Sequence, residues 1–247
     1  MTSQLRIEIA DGIATLTLDH PSRRNALSRE LLISLRSALA SVVADKLRAV
    51  ILTGADHCFS AGADILELQG TPEDIGFDDA LTEIVAAVRA GPFLAIAAIE
   101  GPCVGAALDL ACACDARVAS PTAFFELPAV RLGLLYNPVA IARIRHMLPA
   151  GTVRRLLLLG DRMEGRQALA AGITTHLAEE TQTIAVAGEI ARRVVASPRA
   201  LIETKRFLGA LEQGASDLAS WQAIRMELLA SPERQAAVAA AKSRLHS

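Results

Sequence analysis

Residues 59–65, Phe-Ser-Ala-Gly-Ala-Asp-Ile, have a composition that could present backbone N–H groups to a ligand. They follow an apolar, β-branched run at 49–53 that is typical of a strand buried on both faces, and Gly54 and Asp56 end that run. Glycine and alanine let a ligand approach the backbone closely, and a helix beginning near Asp64 would have unpaired N–H groups in its first turn. Such groups could stabilise an oxyanion, although an ordinary packed turn has the same composition.

A second segment repeats this order of strand, small-residue turn and helix. Residues 92–99 are almost wholly apolar, and a Glu-Gly-Pro break at 100–102 separates them from Gly-Ala-Ala at 105–107. Two such turns, each after a buried strand, could converge on one carbonyl oxygen.

The elements that must position these turns begin with a predicted β-hairpin. Residues 7–9 and 13–18 are rich in Ile, Leu and Thr, and the Asp-Gly dipeptide at 11–12 is typical of a tight turn between two strands. Ser28 is a good N-cap for a helix whose apolar side chains recur at helical spacing up to Val42.

The rest of the chain changes from a mixed pattern to a helical one. The polar stretch at 69–79 contains glycine and proline and predicts a mobile loop, whereas 81–89 predicts a helix. Residues 115–119 and 123–125 are short strand candidates. Further helices are predicted at 138–147, 150–159, 165–171, 183–196, 199–212, 216–229 and 232–244.

These elements predict an N-terminal α/β core at 1–195 and a helical C-terminal region at 196–247. Ser-Pro dipeptides at 197–198 and 231–232 mark two of the helix starts. The sequence has no internal repeat or low-complexity tract, so nothing in it predicts a long linker.

Composition favours an α/β protein and argues against a nucleic-acid partner. The chain has 247 residues, 52% of them hydrophobic, but only six Phe, one Tyr and one Trp. This favours helices and β-branched strands over an aromatic sandwich. A net charge of −2 provides no general attraction for nucleic acid or an anionic membrane surface.

Cysteine usage and the absence of long apolar runs predict a reduced, soluble, cytoplasmic chain. The N-terminus has no apolar leader, and no run of about 18 apolar residues occurs. No pair of cysteines has the CxxC spacing of a zinc site, so we expect no metal. The cysteines are Cys58, Cys103, Cys112 and Cys114.

Five segments in order along nearly the whole chain resemble the crotonase superfamily, which includes enoyl-CoA hydratases and isomerases. They are residues 21–27, 49–54, 59–64, 98–119 and 132–134. The resemblance implies a spiral of repeated ββα units, a helical trimerisation region, and trimers or dimers of trimers. It also implies an acyl-CoA thioester as substrate, and no separate cofactor because coenzyme A belongs to the substrate.

In this family two backbone N–H groups bind the thioester carbonyl as it becomes an enolate. The resemblance places them at Ala63 and Ala106. The family usually carries three glycines where this chain has Gly105, Ala106 and Ala107. An alanine N–H still donates if φ stays negative, so an oxyanion hole remains possible, with methyl groups on one wall.

Hydration of a conjugated thioester needs one group that activates water and another that protonates the α-carbon, commonly two carboxyls. By resemblance the first corresponds to Asp109, three residues after Ala106 and therefore on the same helix face. A solvated or capping aspartate is the other interpretation. The second corresponds to Ala129, which can do neither task. Glu126 could replace it only by turning inward, and is otherwise a surface carboxylate.

Two other branches of the family share features with this segment. Asp109 also resembles the aspartate of dienoyl-CoA isomerases, which have a second aspartate where this chain has Asn137. Tyr136 and Asn137 resemble an element of methylmalonyl-CoA decarboxylases, but those carry a histidine where this chain has Ala63. A buried core aromatic is the other interpretation of Tyr136.

The resemblance also indicates residues that contact the substrate or coenzyme A. Arg24 and Arg23 match a basic segment near the nucleotide phosphates, and several small residues match the walls of the site. Lys205 and Phe207 lie on a helix that can reach a neighbouring subunit's coenzyme A, although exposed helix residues would look the same. The full set is Arg23, Arg24, Ala26, Ala61, Gly62, Asp64, Ile65, Gly105, Ala129, Lys205 and Phe207.

The sequence therefore predicts a crotonase-fold enzyme, with enoyl-CoA hydratase as the favoured activity and Ala63, Ala106 and Asp109 as its central residues. A double-bond isomerase and a decarboxylase that uses Tyr136 remain open. The substitution at Ala129 also permits a catalytically silent protein that binds acyl-CoA.

Overall fold

The computed structural model describes residues 4–194, 198–214 and 217–244. Its strands are β1 (Leu5–Ala10), β2 (Ile13–Leu18), β3 (Ala49–Gly54), β4 (Leu94–Ile99), β5 (Pro102–Val104), β6 (Ala116–Ala119), β7 (Phe124–Glu126), β8 (Met163–Glu164) and β9 (His176–Leu177). Its α-helices are α1 (Arg29–Ala44), α2 (Ile75–Ala90), α3 (Ala106–Ala113), α4 (Pro138–Met147), α5 (Ala150–Arg154), α6 (Gly165–Ala170), α7 (Thr183–Val194), α8 (Pro198–Glu212), α9 (Leu218–Leu229) and α10 (Pro232–Arg244).

The described strands form a main sheet in the order β1-β2-β3-β4-β6-β9 and a small sheet in the order β5-β7-β8. β1 and β2 pair antiparallel, which confirms the predicted hairpin, and every later pairing in the main sheet is parallel. Parallel strands are normally covered on both faces, which explains why β4 is buried along its whole length.

The two faces of the main sheet pack against different helices. Val50 and Leu52 of β3 belong to the larger core, which includes the apolar faces of α1, α2 and α3. Ala49 and Ile51 point to the other face, where they pack with Ala187 and other residues of α7. This period of two explains how one strand can be apolar at every position.

The C-terminal helices α8 and α9 contribute no buried residue to the core. The predicted division of the chain at residue 195/196 lies outside the described residues and stays a prediction. Residue 197 of the first predicted Ser-Pro start lies outside the described residues, and α8 begins at Pro198.

The structure corrects two predictions about the segments that flank the site. The predicted loop at 69–79 is largely ordered, with a 3-10 turn at Pro72–Asp74 that leads directly into α2. Asp74 accepts the N–H groups of Gln69 and Gly70, both at 2.8 Å, and buried Phe77 extends the apolar face of the helix toward its start. A proline and carboxylates at a helix start outweigh the glycines there.

The predicted helix start near Asp64 is instead a turn over residues 65–67. Asp64 uses its carboxylate locally, because Oδ1 accepts the N–H of Leu66 at 3.1 Å.

The predicted helix at 150–159 consists of α5 and a π-helical turn at Arg155–Leu159. The short strands β5, β8 and β9 were not predicted, because two or three residues carry too little periodicity.

Candidate active site

Two turns, one after β3 and one after β5, lie side by side and are joined by backbone hydrogen bonds. Ser60 donates to the carbonyl of Pro102 at 2.9 Å and accepts from Val104 at 3.2 Å. Leu27 donates to the carbonyl of Gly62 at 2.7 Å. The first turn is therefore held between the second turn and the segment that leads into α1.

Each turn contains a glycine with positive φ, followed by an alanine. Gly62 has a φ of +94° and Gly105 a φ of +56°, conformations that glycine adopts far more readily than other residues. Within the described residues, the backbone N–H groups of Ala63 and Ala106 have no hydrogen-bond partner. Ala106 is the first residue of α3, where an N–H group has no partner inside the helix.

The close approach of the two turns explains why Gly62 must be glycine. A Cβ atom added there would lie 2.5 Å from the Val104 carbonyl oxygen and 3.6 Å from the Ala106 nitrogen. A Cβ added at Gly105 would meet nothing within 4 Å, so the space beside the second turn is open. The geometry therefore leaves two free backbone donors close together, with open space beside one of them.

Asn25 anchors the first turn, and sequence reasoning missed it. Asn25 is fully buried, and its amide donates to the carbonyls of Ala55 at 2.9 Å and Cys58 at 2.6 Å. Its Oδ1 accepts the N–H of His20 at 2.9 Å. With a φ of 53°, it also has a conformation that asparagine tolerates better than most residues. In the sequence, the only sign of this role was that an asparagine follows two arginines in a short motif.

The structure brings most of the predicted coenzyme A residues together beside Ala63. Ala61 donates to the Arg24 carbonyl at 3.0 Å, and the side chain of Arg24 is exposed. Arg23 Nη1 contacts Asp64 Oδ2 at 2.6 Å, so Asp64 orients an arginine. Ala26 is buried, whereas Ile65 is 64% exposed beside the turn. Their contacts with coenzyme A stay a prediction.

Lys205 and Phe207 lie elsewhere in this chain. Lys205 Nζ donates to the carbonyls of Val88 and Phe93, both at 3.0 Å, and pairs with Asp115 at 2.8 Å. These contacts lie at the start of β4, whereas the first turn contacts the end of that strand, about 20 Å away for six residues. All three ammonium protons are used, so Lys205 has none free for coenzyme A in this arrangement.

Phe207 packs against Trp221 of α9, with ring centroids 4.8 Å apart. This contact fastens α8 to α9 and does not reach the two turns. The prediction for Lys205 and Phe207 rested on a neighbouring subunit, so the contacts of one chain leave it open.

Asp109 lies on α3 one turn beyond Ala106, is 3% exposed, and forms an ion pair with Arg143 of α4. Burial raises the pKa of Asp109 above its ordinary value, and the charges of Arg143 and Arg89 oppose that rise. The interpretation as a solvated residue is therefore wrong. Asp109 Oδ1 accepts from Arg143, while Oδ2 has no hydrogen-bond partner among the described residues.

Tyr136 lies in the same cluster. Its hydroxyl is buried and has no hydrogen-bond partner within the described residues, and the same is true of Arg143 Nε. Burial raises the pKa of Tyr136 well above its ordinary value, and the charges of Asp109 and Asp78 raise it further. Arg143 was not a sequence candidate, because its partner lies 34 positions away on another helix.

The structure places an alanine at position 129, where the resemblance to hydratases predicts a second glutamate. Ala129 is 5% exposed and carries no acid or base. The side chain of Glu126 is only 18% exposed but forms an ion pair with Arg131. The Glu126 carbonyl accepts the N–H of Gly105 at 2.8 Å, so Glu126 supports the second turn through its backbone.

A cavity of about 320 Å³ lies at the other end of α3, between that helix, α4 and α8. Arg143 lines it and also contacts Asp109. Residues of both turns are absent from its lining. In the described parts of the chain, no group of three His, Cys, Asp or Glu side chains could hold a metal ion.

None of the helices in the described ranges combines the length and apolar character needed to cross a bilayer.

The fold, the paired turns and the chain's similarity to known proteins identify its family. The sequence profile of the enoyl-CoA hydratase/isomerase family matches residues 8–240. A Mycobacterium tuberculosis protein named "Probable enoyl-CoA hydratase echA6" is 34% identical over 234 residues, which cover 88% of this chain and 94% of that protein. A second protein of that species, "Probable enoyl-CoA hydratase echA14", is 32% identical over 96% of this chain and 97% of its own length.

Solved structures with the same fold support this family assignment. An enoyl-CoA hydratase/carnithine racemase from Magnetospirillum magneticum superposes with a TM-score of 0.89 at 29% identity, covering 99% of this chain and 94% of that one. Pseudomonas aeruginosa DspI has a TM-score of 0.89 at 26% identity, covering 98% and 95%. The fold and the matches define a protein of the crotonase superfamily. The chain belongs to its enoyl-CoA hydratase/isomerase family.

Proposed function

We propose that this chain acts on acyl-CoA thioesters and stabilises the enolate oxygen through the N–H groups of Ala63 and Ala106. The strongest support is a pair of backbone donors on two adjoining turns, each preceded by a glycine with positive φ and without a partner in the described ranges. Donors that are fixed before the reaction stabilise developing negative charge without reorganising, and one such donor is worth about 3 kcal/mol.

The proposed reaction is addition of water to a 2-enoyl-CoA, with Asp109 as the single acid/base group, which takes a proton from the attacking water and returns it to the α-carbon. Asp109 is close to Ala106 on α3, and its Oδ2 has no partner among the described residues. Burial raises its pKa, which brings the carboxyl closer to the range where it can both accept and donate a proton. The names of the relatives support the same reaction.

Double-bond isomerisation is the second candidate, and Ala129 favours it. Moving a proton from the α-carbon to the γ-carbon needs one group that takes the proton and returns it, so a single carboxyl suffices. Asp109 supplies that single carboxyl, because it is buried on α3 one turn beyond Ala106. Both reactions use the same enolate and the same two donors.

The test is an assay of purified protein with crotonyl-CoA, longer 2-enoyl-CoAs, 3-enoyl-CoAs and methylmalonyl-CoA, with products identified by mass spectrometry. Hydration that is lost in Asp109→Asn supports the hydratase, and interconversion of 2- and 3-enoyl-CoA supports the isomerase. Asp79→Asn, which changes an exposed carboxylate on α2, is the matched control.

Two results would contradict the proposed reaction. Release of CO2 from methylmalonyl-CoA, sensitive to Tyr136→Phe, would indicate a decarboxylase. Tight binding of acyl-CoA with no turnover of any substrate would indicate a carrier.

We also propose that the chain works as a trimer or a dimer of trimers. The exposed apolar residues Leu208 and Leu211 of α8, at 55% and 46%, and Leu218 and Met226 of α9, at 62% and 56%, support this. Large exposed apolar side chains on adjacent helices favour association. Light scattering measures the mass, and a monomer at micromolar concentration would contradict the proposal.

A further inference from the structure

Three largely buried cations surround the far part of α3, and two of them donate to backbone carbonyls. Arg117 is 5% exposed and donates to the carbonyls of Ile173 at 2.6 Å and Cys114 at 2.8 Å. Lys205 uses all its protons on two carbonyls and Asp115. Cations that bind backbone carbonyls in this way hold elements together, and their loss would affect the fold.

Arg143 is different from both. Its side chain is only 10% exposed, yet within the described residues its only hydrogen bond goes to Asp109 Oδ1. Its Nε is buried and has no partner in the described part of the chain, so it binds no backbone carbonyl there. A guanidinium has five donors, and burying one with so few partners is unfavourable unless its charge is needed locally.

We propose that Arg143 is a positioning residue that orients the Asp109 carboxyl group through Oδ1 and favours its charged form, leaving Oδ2 as the atom that exchanges protons. This rests on the proposed function of Asp109 as the acid/base group. The ion pair joins α4 to α3 at one carboxylate oxygen only, so the other oxygen remains available.

Charges on every neighbouring element determine how strongly Arg143 affects Asp109. The titratable and charged groups around it come from α2, from α3 itself and from the segment that includes α4: Asp78, Arg89, Cys112, Tyr136 and Arg143. Burial and Asp78 favour the neutral carboxyl, because both penalise a negative charge. Arg89 already pairs with Glu212, so Arg143 is the cation committed to Asp109.

The direct test is a 13C NMR titration of the aspartate carboxyls in protein labelled at aspartate, with the Asp109 signal assigned by its absence in Asp109→Asn. In Arg143→Met we expect the midpoint of Asp109 to rise by about one to three pH units, or about 10- to 1,000-fold in its protonation equilibrium. Arg143→Lys keeps the charge and should keep the midpoint near that of the unmodified chain.

Matched variants keep this test interpretable. Arg36→Met removes an arginine from an exposed ion pair with Glu83 and should leave Asp109 unchanged. If Arg143→Met does not fold, Arg143→Gln removes the charge while keeping a polar side chain, and the same titration applies. An unchanged Asp109 midpoint in the neutral variants would overturn the proposal.

Activity gives a second readout that a structural role would not produce. The acid limb of kcat/KM, where the base must be deprotonated, should move to higher pH in Arg143→Met, with turnover recovering as pH rises. A uniform loss at every pH would overturn the positioning role. If no substrate is turned over, the proposed function fails, whereas the titration still measures whether Arg143 controls Asp109.

Discussion

The two halves of the candidate site are built in different ways. The paired turns use backbone N–H groups, whose directions follow from Gly62 and Gly105 and from hydrogen bonds between neighbouring segments. The proposed acid/base cluster consists of the side chains of Asp109, Arg143 and Tyr136, which come together only when α4 packs against α3.

Because of this difference, the two halves give different information about function. A pair of backbone donors suits any thioester that passes through an enolate, so the turns point to a substrate class and a shared intermediate. The identity of the reaction depends on where protons move. In the proposed function, that depends on one buried carboxyl group and its arginine, with a buried alanine at position 129. The turns therefore bear on the substrate class, and the side-chain cluster bears on the reaction.

The largest expected effect is on the side-chain half. Asp109→Asn should lower kcat/KM by about 10²- to 10⁴-fold, because general acid/base catalysis contributes that much. It should also lower the free energy of unfolding by about 3 kcal/mol, because Arg143 would remain buried without its partner. Enzyme assays and urea unfolding measure the two effects.

The double variant Asp109→Asn/Arg143→Met separates these effects. Removing the orphaned charge should recover most of the lost stability, while activity stays low. Recovery of activity together with stability would mean that Asp109 matters only for packing.

The next largest effect concerns the backbone half. Gly62→Ala places a Cβ 2.5 Å from the Val104 carbonyl oxygen and strains a φ of +94°, so the Ala63 N–H should move. We expect about a 10²- to 10³-fold loss of kcat, as for removal of one oxyanion donor. Steady-state kinetics and circular dichroism together would show whether the loss occurs in a folded protein.

Gly172→Ala is the matched control, since Gly172 has a φ of +76° and its added Cβ would meet only Pro149 Cδ, at 3.7 Å. It should cost some stability and no activity. Equal losses of activity in the two variants would show that strain alone, and not the donor, explains the result.

The backbone turns could be predicted from the sequence better than the side-chain cluster. The buried strands β3 and β4 and the glycine-containing turns carry local signals, and Ser28 caps α1 as predicted, accepting from Leu31 at 3.1 Å. These features depend on residues that are neighbours in sequence. The resemblance to the crotonase superfamily then supplied the topology.

The rest depends on contacts between distant segments. Arg143 and Asp109 are 34 positions apart, and Asn25 reaches carbonyls about 30 positions away, so no local pattern could reveal either partner. Lys205 looked like an exposed helix lysine, but the fold gives it three acceptors more than 85 positions away. The partners of Arg143 and Lys205 depend on how α4 and α8 pack, and helix propensity carries no information about that packing.

A smaller effect tests where coenzyme A binds. Arg24 is exposed beside the first turn. Arg24→Ala should weaken coenzyme A binding about tenfold, because one hydrogen bond to a charged group contributes about 1.5 kcal/mol. Lys205→Met should instead destabilise the fold by about 1–3 kcal/mol, because two carbonyls lose their donor.

Titration calorimetry with free coenzyme A, beside urea unfolding of each variant, measures both quantities. A tenfold loss of affinity in Lys205→Met at unchanged affinity in Arg24→Ala would reverse the assignment. It would place the phosphates near α8 of a neighbouring subunit.

The smallest expected effect tests whether the side chain of His57 helps to position the first turn. His57 Nδ1 lies 2.7 Å from Glu100 Oε2, and the Glu100 carbonyl accepts the N–H of Phe59 at 2.7 Å. The hydrogen bond to Glu100 and its charge raise the pKa of His57 above its ordinary value of 6.5. The stability from this contact is therefore fully present below pH 6.5 and is lost as pH rises through the folded-state pKa.

Thermal unfolding from pH 5 to pH 9 should show this small decline, and His57→Gln should remove it. His146→Gln, which removes an exposed histidine of α4, should keep it. Because His57 is highly exposed, we expect a small slope and no change in the position of the Ala63 N–H. A change in kcat that follows this titration would instead mean that the first turn depends on a side chain, and the contrast between the two halves would weaken.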